Sequence, residues 1–417
     1  MPTSPAPLPT ATSPSPKRSV VRDVAFLRLW CGTTASGLAT WALPFVLGLA
    51  ALERTLPVAE LGLLLAARTV GFLAAVPVGG VLADRHSRRA VVFWSGMAAA
   101  ASAPLLAAGL GRSVALTATA AALAGAGQGA CRPAFQAMVA EVVDADRRQQ
   151  ANAAMTLAVR VTTLTGPTLA ALLAVLLHVR GLLLGIGLLW LAAALVPGRG
   201  TRSAPPAAPP RASFRAEFAD GAREARRHPW FVAGLGALTA VIFAGYSATG
   251  VALPLVSRDR YDTEAVLAAA LTAYTAGALA GALVIARWRP RAQGWAALAA
   301  LAGYGFAPLS LMLPVHPAVV VAAYVVAGLG IELFNVPWFT ATQREVAPDK
   351  LARVSSLDFL LSYGLAPVGL ALIAPAIDAF GLRPVLGICA LICFVAPAAA
   401  ALTPTARHFA RATDNPL

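Results

Sequence analysis

Long runs of apolar residues, separated by short polar segments, follow one another along almost the whole chain. A helix of about 20 apolar residues crosses the ~30 Å hydrocarbon core of a bilayer, and twelve runs of this kind are present. The pattern therefore predicts an all-α polytopic membrane protein with twelve transmembrane helices. The predicted spans cover residues 24–51, 60–82, 90–109, 114–138, 153–177, 181–197, 231–255, 265–286, 294–313, 317–341, 355–376 and 384–402.

The longest polar segment inside the chain, residues 198–230, divides the spans into two groups of six. It starts as a Pro/Ala-rich linker and ends in a charged stretch with a helical pattern. We expect an N-terminal six-helix bundle at 24–197 and a C-terminal six-helix bundle at 231–402. Cytoplasmic tails are expected at 1–23 and 403–417, and the first tail, rich in Pro, Ser and Thr, is expected to be disordered.

A short pattern repeats between the two groups of spans. Ala124-Gly-Ala-Gly127 is followed by a proline and a phenylalanine in span 4, and Ala327-Gly-Leu-Gly330 is followed by the same two residue types in span 10, about 204 residues later. The repeat predicts that the two bundles are related by pseudo-twofold symmetry.

Composition and charge support the membrane setting and add an orientation. The chain is 58% hydrophobic and 12% charged, and its mean hydropathy is +0.70. Its net charge of +14 comes from residues scattered between apolar runs, so we expect no nucleic acid partner. Because 24 of the 33 Lys and Arg fall on one side, the positive-inside rule predicts that both termini are cytoplasmic. The Arg-rich, Lys-poor composition is typical of a GC-rich bacterial genome, so the expected location is a bacterial cytoplasmic membrane.

A compact charged turn, Gly80-Val-Leu-Ala-Asp84-Arg85-His-Ser87-Arg88-Arg89, joins spans 2 and 3 at the membrane surface. Together with twelve spans in two related halves and a basic central segment, this turn resembles the major facilitator superfamily. The resemblance implies a two-bundle transporter that works by alternating access. The chain departs from the family pattern at Ser87, where a glycine is usual, and after span 8, where Ile285 stands in place of the aspartate.

Further patterns are present only in part. Span 4 has Gln128-Gly129 with Gly125 in the place of the family's arginine, and span 5 keeps Gly166-Pro167. Residues 330–338 and 353–356 look most like the branch that contains macrolide and siderophore exporters. This resemblance implies export of a hydrophobic or amphipathic small molecule, whereas the expected coupling to protons depends on an acidic residue inside the spans.

The resemblance also implies a gate. Asp84 ends a helix, which is an unfavourable place for an anion, and the family's aspartate meets the amino end of span 11, here near Ser355 and Ser356. Arg85 and Arg88 are expected to reach Glu141, Asp144 or the surroundings of Arg353. The alternative is that the arginines of the turn only fix topology. The predicted gating residues are Gly80, Asp84, Arg85, Arg88, Arg89, Glu141, Ser355 and Ser356.

Ionisable side chains inside spans cost roughly 3 kcal/mol each on insertion scales and mark function. Arg160 and Glu332 lie nearest the predicted midplane, and Asp358 lies about one turn into span 11. We hypothesise that Glu332 is the proton carrier and that charge balance comes from across a central cavity. The alternatives are a static pair that locks the halves, an arginine bonded to backbone carbonyls, and an arginine-rich cavity that favours an anionic substrate. Gln128 and Asn335 are cavity contacts or, alternatively, interhelical hydrogen-bonding residues. The candidate proton and substrate site comprises Glu332, Arg160, Arg132, Arg68, Asp358, Gln128 and Asn335.

No Gly-x-x-x-x-Gly-Lys-Ser/Thr motif is present, so no nucleotide-driven motor of this type is expected. No nucleophile-and-base grouping or metal-ligand cluster can be read, and we expect neither an enzyme nor a cofactor or metal. The expected partners are a small-molecule substrate, protons and the lipid bilayer, and the expected state is a monomer. Uptake of a small metabolite and a non-transporting assembly or sensor role are the competing functions.

Overall fold

The computed structural model describes residues 19–198, 214–263 and 265–410, and these residues form helices and turns without strands. In this part of the chain eleven helical segments are long and apolar enough to cross a membrane, and the 17-residue helix Val179–Leu195 completes the twelve spans. The predicted tail before residue 19, the linker at 199–213 and the last residues, 411–417, lie outside the described residues.

The spans are numbered in chain order. Spans 1 to 6 are Val24–Leu52, Val58–Arg85, Arg88–Gly109, Val114–Val142, Arg148–Ala174 and Val179–Leu195. Span 7 consists of Pro229–Ala240, a π-helical turn Val241–Tyr246 and Ser247–Tyr261. Spans 8 to 12 are Ala265–Arg287, Gln293–Met312 with a 3-10 turn at Gly303–Gly305, Pro317–Glu345, Leu351–Phe380 with a break at Leu365, and Leu382–Ala401. A central helix, Phe214–Arg226, precedes span 7.

Several helices extend beyond the apolar runs that predicted them. Span 4 continues to Val142, span 5 begins at Arg148 and span 11 begins at Leu351. A helix satisfies its backbone within itself, so it continues through the polar boundary of the membrane, whereas the apolar run marks only the hydrocarbon part. These polar helix ends hold most of the hydrogen bonds between the two halves that the described residues make.

The prediction that residues 1–23 are disordered is wrong for their last part. Val20–Arg22 form a 3-10 turn, and the side chain of Val20 is buried. Asp23 then caps span 1 by accepting a hydrogen bond from the Ala25 amide at 3.0 Å. An apolar contact and a helix cap order this segment although its composition is polar.

The repeated glycines make equivalent contacts in the two bundles. A Cβ atom placed on Gly125 of span 4 would lie 1.9 Å from the Arg68 carbonyl oxygen of span 2. A Cβ atom placed on Gly328 of span 10 would lie 1.9 Å from the Tyr274 carbonyl oxygen of span 8. Spans 2 and 4 therefore approach each other in the same way as spans 8 and 10, which small residues at helix contacts permit.

The second glycine of each repeat faces a different neighbour. A Cβ atom on Gly127 would lie 2.5 Å from the Ser95 carbonyl oxygen of span 3, and one on Gly330 would lie 2.1 Å from the Ala300 carbonyl oxygen of span 9. Each repeat thus packs one helix against two neighbours. The two bundles are pseudo-symmetric six-helix units, and their shared sequence pattern specifies their tightest contacts.

The two halves meet through spans 2, 4 and 5 on one side and spans 8, 10 and 11 on the other. The Arg85–Arg88 turn and the central helix lie at the same end of the protein, which we call the basic end. Residues 403–410 also lie at this end, where Phe409 is buried with its ring centroid 5.4 Å from Trp230 and 5.7 Å from Trp338. The first part of the predicted C-terminal tail therefore packs against the second bundle.

The glycine contacts generate a prediction about stability. Replacing Gly125 with Val puts a branched side chain against the backbone of span 2, and overpacking of this kind costs about 2 kcal/mol. We expect Gly125→Val to lower the unfolding temperature of the purified protein in detergent by several degrees, measured by tryptophan fluorescence. Gly48→Val in span 1 is the matched control, since a Cβ there has no neighbour within 4 Å. Equal melting of both variants would contradict the close approach of spans 2 and 4.

Candidate functional site

The carboxylate of Asp84 caps a helix of the other half. Its side chain is fully buried at the end of span 2, where it accepts hydrogen bonds from the amides of Ala352 at 3.1 Å and Arg353 at 2.9 Å. Arg353 also donates through Nε at 3.0 Å. These amides belong to the first turn of span 11, whose N–H groups have no partner within the helix and attract an anion. The contact ties the first half to the second.

The anion site lies one turn earlier than the predicted position at Ser355 and Ser356. Span 11 begins at Leu351, so its free amides precede both serines. Within the described residues neither serine bonds to Asp84, and Ser356 donates instead to the Arg353 carbonyl oxygen at 2.7 Å. Gly80 permits the approach, because a Cβ there would lie 2.6 Å from the Ser356 Cβ atom.

Arg88 forms a second buried contact at the basic end. Its guanidinium makes an ion pair with Glu141 at 2.9 Å and donates to the Ala137 carbonyl oxygen at 3.1 Å, both in span 4. It also donates to the carbonyl oxygen of Pro348, just before span 11. The Arg88 side chain therefore contacts span 4 of the first half and the segment before span 11 of the second half.

The other two arginines of the turn have partners that were not predicted. Arg85 Nε lies 2.5 Å from Glu217 Oε2 in the central helix, rather than bonding to Glu141. Arg89 donates to the Leu195 carbonyl oxygen at 3.3 Å and lies over the Phe93 ring at 5.7 Å, both in its own half. The position of Arg89 fits a packing role in the first half.

The central helix bridges the halves, a role that is not among the predictions. Its Glu217 pairs with Arg85 of the first half, and its Asp220 lies 3.2 Å from Lys350 Nζ and 3.4 Å from Arg353 Nη1 of the second half. The acidic side chains recur at helical spacing in a polar segment, which was the signal available in the sequence.

Glu224, one turn further along the central helix, is ionised at neutral pH. Burial opposes its charge, but Lys350 at 3.4 Å, with His228 and Arg227, outweighs burial and lowers the pKa of Glu224 below its ordinary value of 4.5. A carboxylate with a depressed pKa stabilises the folded state at higher pH, and this contribution is lost as the pH falls through the folded pKa. The ion pair with Lys350 is therefore intact throughout the neutral range.

A layer of amide side chains joins spans 5 and 10 deeper in the bundle. Asn152 donates to Gln343 Oε1 at 3.0 Å, and Gln343 donates back to Asn152 Oδ1 at 3.2 Å. Arg148 donates to the Gln343 carbonyl oxygen at 3.0 Å. All three side chains lie at polar helix ends that the apolar runs did not include.

The junction of spans 5 and 8 is the pseudo-symmetric counterpart of the Asp84 contact. Ile285 stands where the second half lacks the aspartate, and Gln149 at the start of span 5 donates to its carbonyl oxygen at 2.5 Å. Gln149 also donates to the Trp288 carbonyl oxygen at 2.9 Å. Here a side-chain donor from the start of one span satisfies the free carbonyls at the end of another, which reverses the polarity of the Asp84 contact.

Arg160 and Glu332 form an ion pair between the two halves. Both Nε and Nη2 of Arg160 reach Glu332 Oε1, and the Glu332 side chain is 1% exposed. Glu332 Oε2 is buried without a hydrogen-bond partner among the described residues. Glu332 lies 13 residues from the end of span 10, about 20 Å from the basic end and close to mid-membrane.

Arg132 occupies a different kind of site. Its guanidinium lies 5.8 Å from the ring centroid of Phe72 in span 2 and 5.8 Å from that of Phe359 in span 11. The side chain is half-buried, and in the described part of the chain it makes neither a hydrogen bond nor an ion pair. Two aromatic rings, one from each half, therefore hold this cation.

Arg68 and Gln128 pair with each other inside the first half. Arg68 Nη2 donates to Gln128 Oε1 at 2.7 Å and to the Thr40 carbonyl oxygen at 3.1 Å. Both acceptors are neutral. The structure thus separates these two predicted site residues from the contact between the halves.

Asp358 and Asn335 are buried in the second half. Asp358 lies two turns into span 11, rather than one, because the helix begins at Leu351. It accepts a hydrogen bond from Ser362 of the same helix at 3.1 Å. Asn335 Oδ1 has no hydrogen-bond partner among the described residues. Neither side chain pairs with an arginine there.

A groove of ≈430 Å³ lies away from these charges, between spans 7 and 11. Its lining is almost wholly apolar, as Val232, Phe243 and Leu361 illustrate. It contains none of the predicted site residues. Among the described residues no group of three or more His, Cys, Asp or Glu side chains comes together as a metal site.

Comparison with known proteins adds a family and a set of solved structures. The family model described as Major Facilitator Superfamily matches residues 29–370. No curated protein matches the chain in sequence. The human organic anion transporter MFSD10 (TETRAN) is similar in structure, with a TM-score of 0.68 at 17% identity over 91% of this chain and 99% of that one.

A bacterial homologue of the iron transporter ferroportin, solved in an outward-facing state, is also similar. Its TM-score is 0.72 at 14% identity, and the similarity covers 92% of this chain and 98% of that one. At these identities the comparisons establish a shared fold.

If the Asp84 contact holds the basic end closed, neutralising Asp84 increases the distance between the halves at that end. In Asp84→Asn the new amide group faces the donors of Ala352 and Arg353, and hydrogen bonds to a charged group worth about 1.5–3 kcal/mol each are lost. Spin labels at Ala145 and Arg291 sit on exposed facing loops, joined by the 2.9 Å bond from Arg289 to the Asp146 carbonyl oxygen. We expect the population with separated labels to rise at least ~10-fold.

The control is Asp259→Asn, which removes an exposed carboxylate from the opposite end, 2.7 Å from Arg258. Its label distances should equal those of the unmodified protein. Unchanged distances in Asp84→Asn would show that this contact does not hold the basic end closed.

Proposed function

Because the chain belongs to the major facilitator superfamily, we propose that it is a secondary active transporter that exports a hydrophobic or amphipathic small molecule in exchange for protons. The family and the fold make it a transporter of small molecules within a membrane. Export as the direction is supported by the resemblance of residues 330–338 and 353–356 to the exporter branch. Exchange for protons is supported by the ion pair between the two halves.

The Arg160–Glu332 pair is the observation that carries this proposal. A carboxylate at mid-membrane is costly unless it is paired or protonated, and Glu332 has one oxygen on Arg160 and the other without a partner in the described structure. Arg160 belongs to span 5 and Glu332 to span 10. Any rocking of the halves must therefore break the pair or protonate it.

Proton binding supplies the switch. A neutral Glu332 no longer attracts the guanidinium of Arg160, so the two halves separate at this depth, and exchange requires that the proton and the substrate occupy the site in turn. Loss of the proton restores the attraction and favours the paired state. The protonation state of one side chain thereby determines the side of the membrane toward which the cavity opens.

The basic end is, in this proposal, the cytoplasmic end, in accordance with the positive-inside rule. In the described residues all hydrogen bonds between the halves lie at this end or at mid-depth, from Asp84 to the Arg160–Glu332 pair. Such a state is closed toward the cytoplasm. The arrangement supports alternating access with the Asp84 contact as the inner gate and both termini inside.

Uptake of a metabolite would use the same machinery in the other direction. A static lock between the halves, or a non-transporting protein on this scaffold, would keep the Arg160–Glu332 pair without coupling it to a gradient. The direction and the dependence of flux on a proton gradient therefore decide between these functions.

The decisive measurement is transport by the purified protein in liposomes under an imposed pH gradient. The probes are fluorescent amphipathic compounds of positive, zero and negative charge. One-to-one exchange allows about 10-fold accumulation per pH unit, because one pH unit is worth 1.36 kcal/mol. We expect Glu332→Gln to equilibrate substrate without accumulating it, since the variant cannot exchange a proton.

Asp358→Asn is the matched control, because it neutralises the other carboxylate that lies away from the helix ends, and this carboxylate accepts a hydrogen bond from Ser362 in its own helix. It should retain gradient-driven accumulation. Accumulation by Glu332→Gln equal to that of the unmodified protein would exclude Glu332 as the coupling group. Absence of gradient-driven flux for every probe would favour a non-transporting role.

A further inference from the structure

The Arg132 guanidinium is a cation whose hydrogen-bonding capacity is unused in the described structure. A guanidinium has five N–H donors, and the surroundings of Arg132 are the rings of Phe72 and Phe359, each with its centroid 5.8 Å away. Cation–π contacts stabilise the charge but accept no conventional hydrogen bond. The side chain is half-buried, and among the described residues no protein acceptor binds its donors.

Four other Asp, Glu or Arg side chains lie away from the polar ends of the spans, and they do not balance Arg132. Arg160 and Glu332 neutralise each other, and Arg68 bonds to neutral acceptors, Gln128 Oε1 and the Thr40 carbonyl oxygen. The remaining acid, Asp358, accepts from Ser362 in its own helix. The five ionisable side chains therefore leave an excess of positive charge in a region where charge is poorly solvated, and an anion would compensate it.

We propose that Arg132 anchors the charged group of a flat organic anion, an aromatic carboxylate or sulfonate, between the two halves. A guanidinium binds a carboxylate through two parallel N–H···O bonds, which fixes the orientation of the ligand as well as its charge. The inference rests on the proposed transport function and names the substrate class of that same cavity.

The side chains around Arg132 suit the flat part of such an anion. The Phe359 ring lies 6.0 Å from Tyr363 and 6.3 Å from Phe339, so an aromatic surface continues from Arg132 along spans 10 and 11. Tyr363 lies within electrostatic reach of both Arg132 and Arg160. A ligand that reaches Tyr363 would therefore feel the charge of both arginines.

The position of the rings also makes binding depend on the state of the protein. Phe72 belongs to span 2 of the first half and Phe359 to span 11 of the second half. Rocking of the halves separates the two rings and leaves Arg132 with only one of them. The anion site is complete in one arrangement of the halves and incomplete in the other, which alternating access requires of a substrate site.

Binding to the full-length protein in lipid nanodiscs tests the inference directly. The probes are 2-naphthoate and 2-naphthalenesulfonate, with 2-naphthylmethylammonium and 2-naphthalenemethanol as ligands of the same ring and different charge. Equilibrium dialysis should show the two anions binding more tightly than the cation and the alcohol. We expect Arg132→Gln to weaken naphthoate binding about 10- to 100-fold, since it removes a charge-assisted hydrogen bond.

Two further variants separate charge from geometry and position. Arg132→Lys keeps the charge without the planar fork and should lose less affinity than Arg132→Gln. Arg258→Gln removes an exposed arginine at the opposite end and should bind naphthoate as the unmodified protein does. The unfolding temperature without ligand is also measured for each variant. If Arg132 acts only as a structural link between spans 2 and 11, its substitution lowers this temperature.

Three results would overturn the anion site: equal binding of anion and cation by the unmodified protein, full naphthoate affinity in Arg132→Gln, or no naphthoate and no sulfonate binding. The first and third results are measured on the unmodified protein. The inference can therefore be refuted even if Arg132→Gln does not fold. Gradient-driven flux of other probes without anion binding would overturn this inference alone. Anion binding without gradient-driven flux would overturn the proposed transport function and leave the site in place.

Discussion

A polar group that is buried between the halves has lost its contact with water, and leaving it without a partner in the protein is costly. This constraint explains the contact between the two bundles. The Asp84 carboxylate takes the free amides at the start of span 11, and Gln149 satisfies the free carbonyls at the end of span 8. When the basic end opens, these groups become exposed to water, and water replaces each hydrogen bond that is lost. The contact is therefore stable but reversible.

The two bundles share a framework and differ in their polar contacts. Gly125 and Gly328 bring equivalent helices together, because only a residue without a side chain fits against the facing carbonyl. The equivalent helix junctions between the halves use an aspartate in one case and an amide side chain in the other. Pseudo-symmetry is therefore strict where packing sets it and relaxed where several polar partners can satisfy the same backbone groups.

The charges at mid-depth divide into a balanced pair and an unbalanced cation. Arg160 and Glu332 need each other, and removing the charge of one leaves the other costly to keep. Arg132 is stabilised by two rings that leave its donors unused in the described residues. In the proposed mechanism the first of these groups responds to protons and the second binds an anion, and both lie between the same two halves.

The sequence by itself determined the number of spans, the division into two bundles and the set of charges inside the membrane. These properties are local, because each depends on the length of an apolar run or on the residues within it. Only the tertiary structure decided that Glu332 pairs with Arg160 rather than Arg132, that Asp84 meets Ala352 ahead of the serines, and that the central helix joins both halves. Such partners come from helices distant in the chain, and their rotation and depth are set by packing against neighbours.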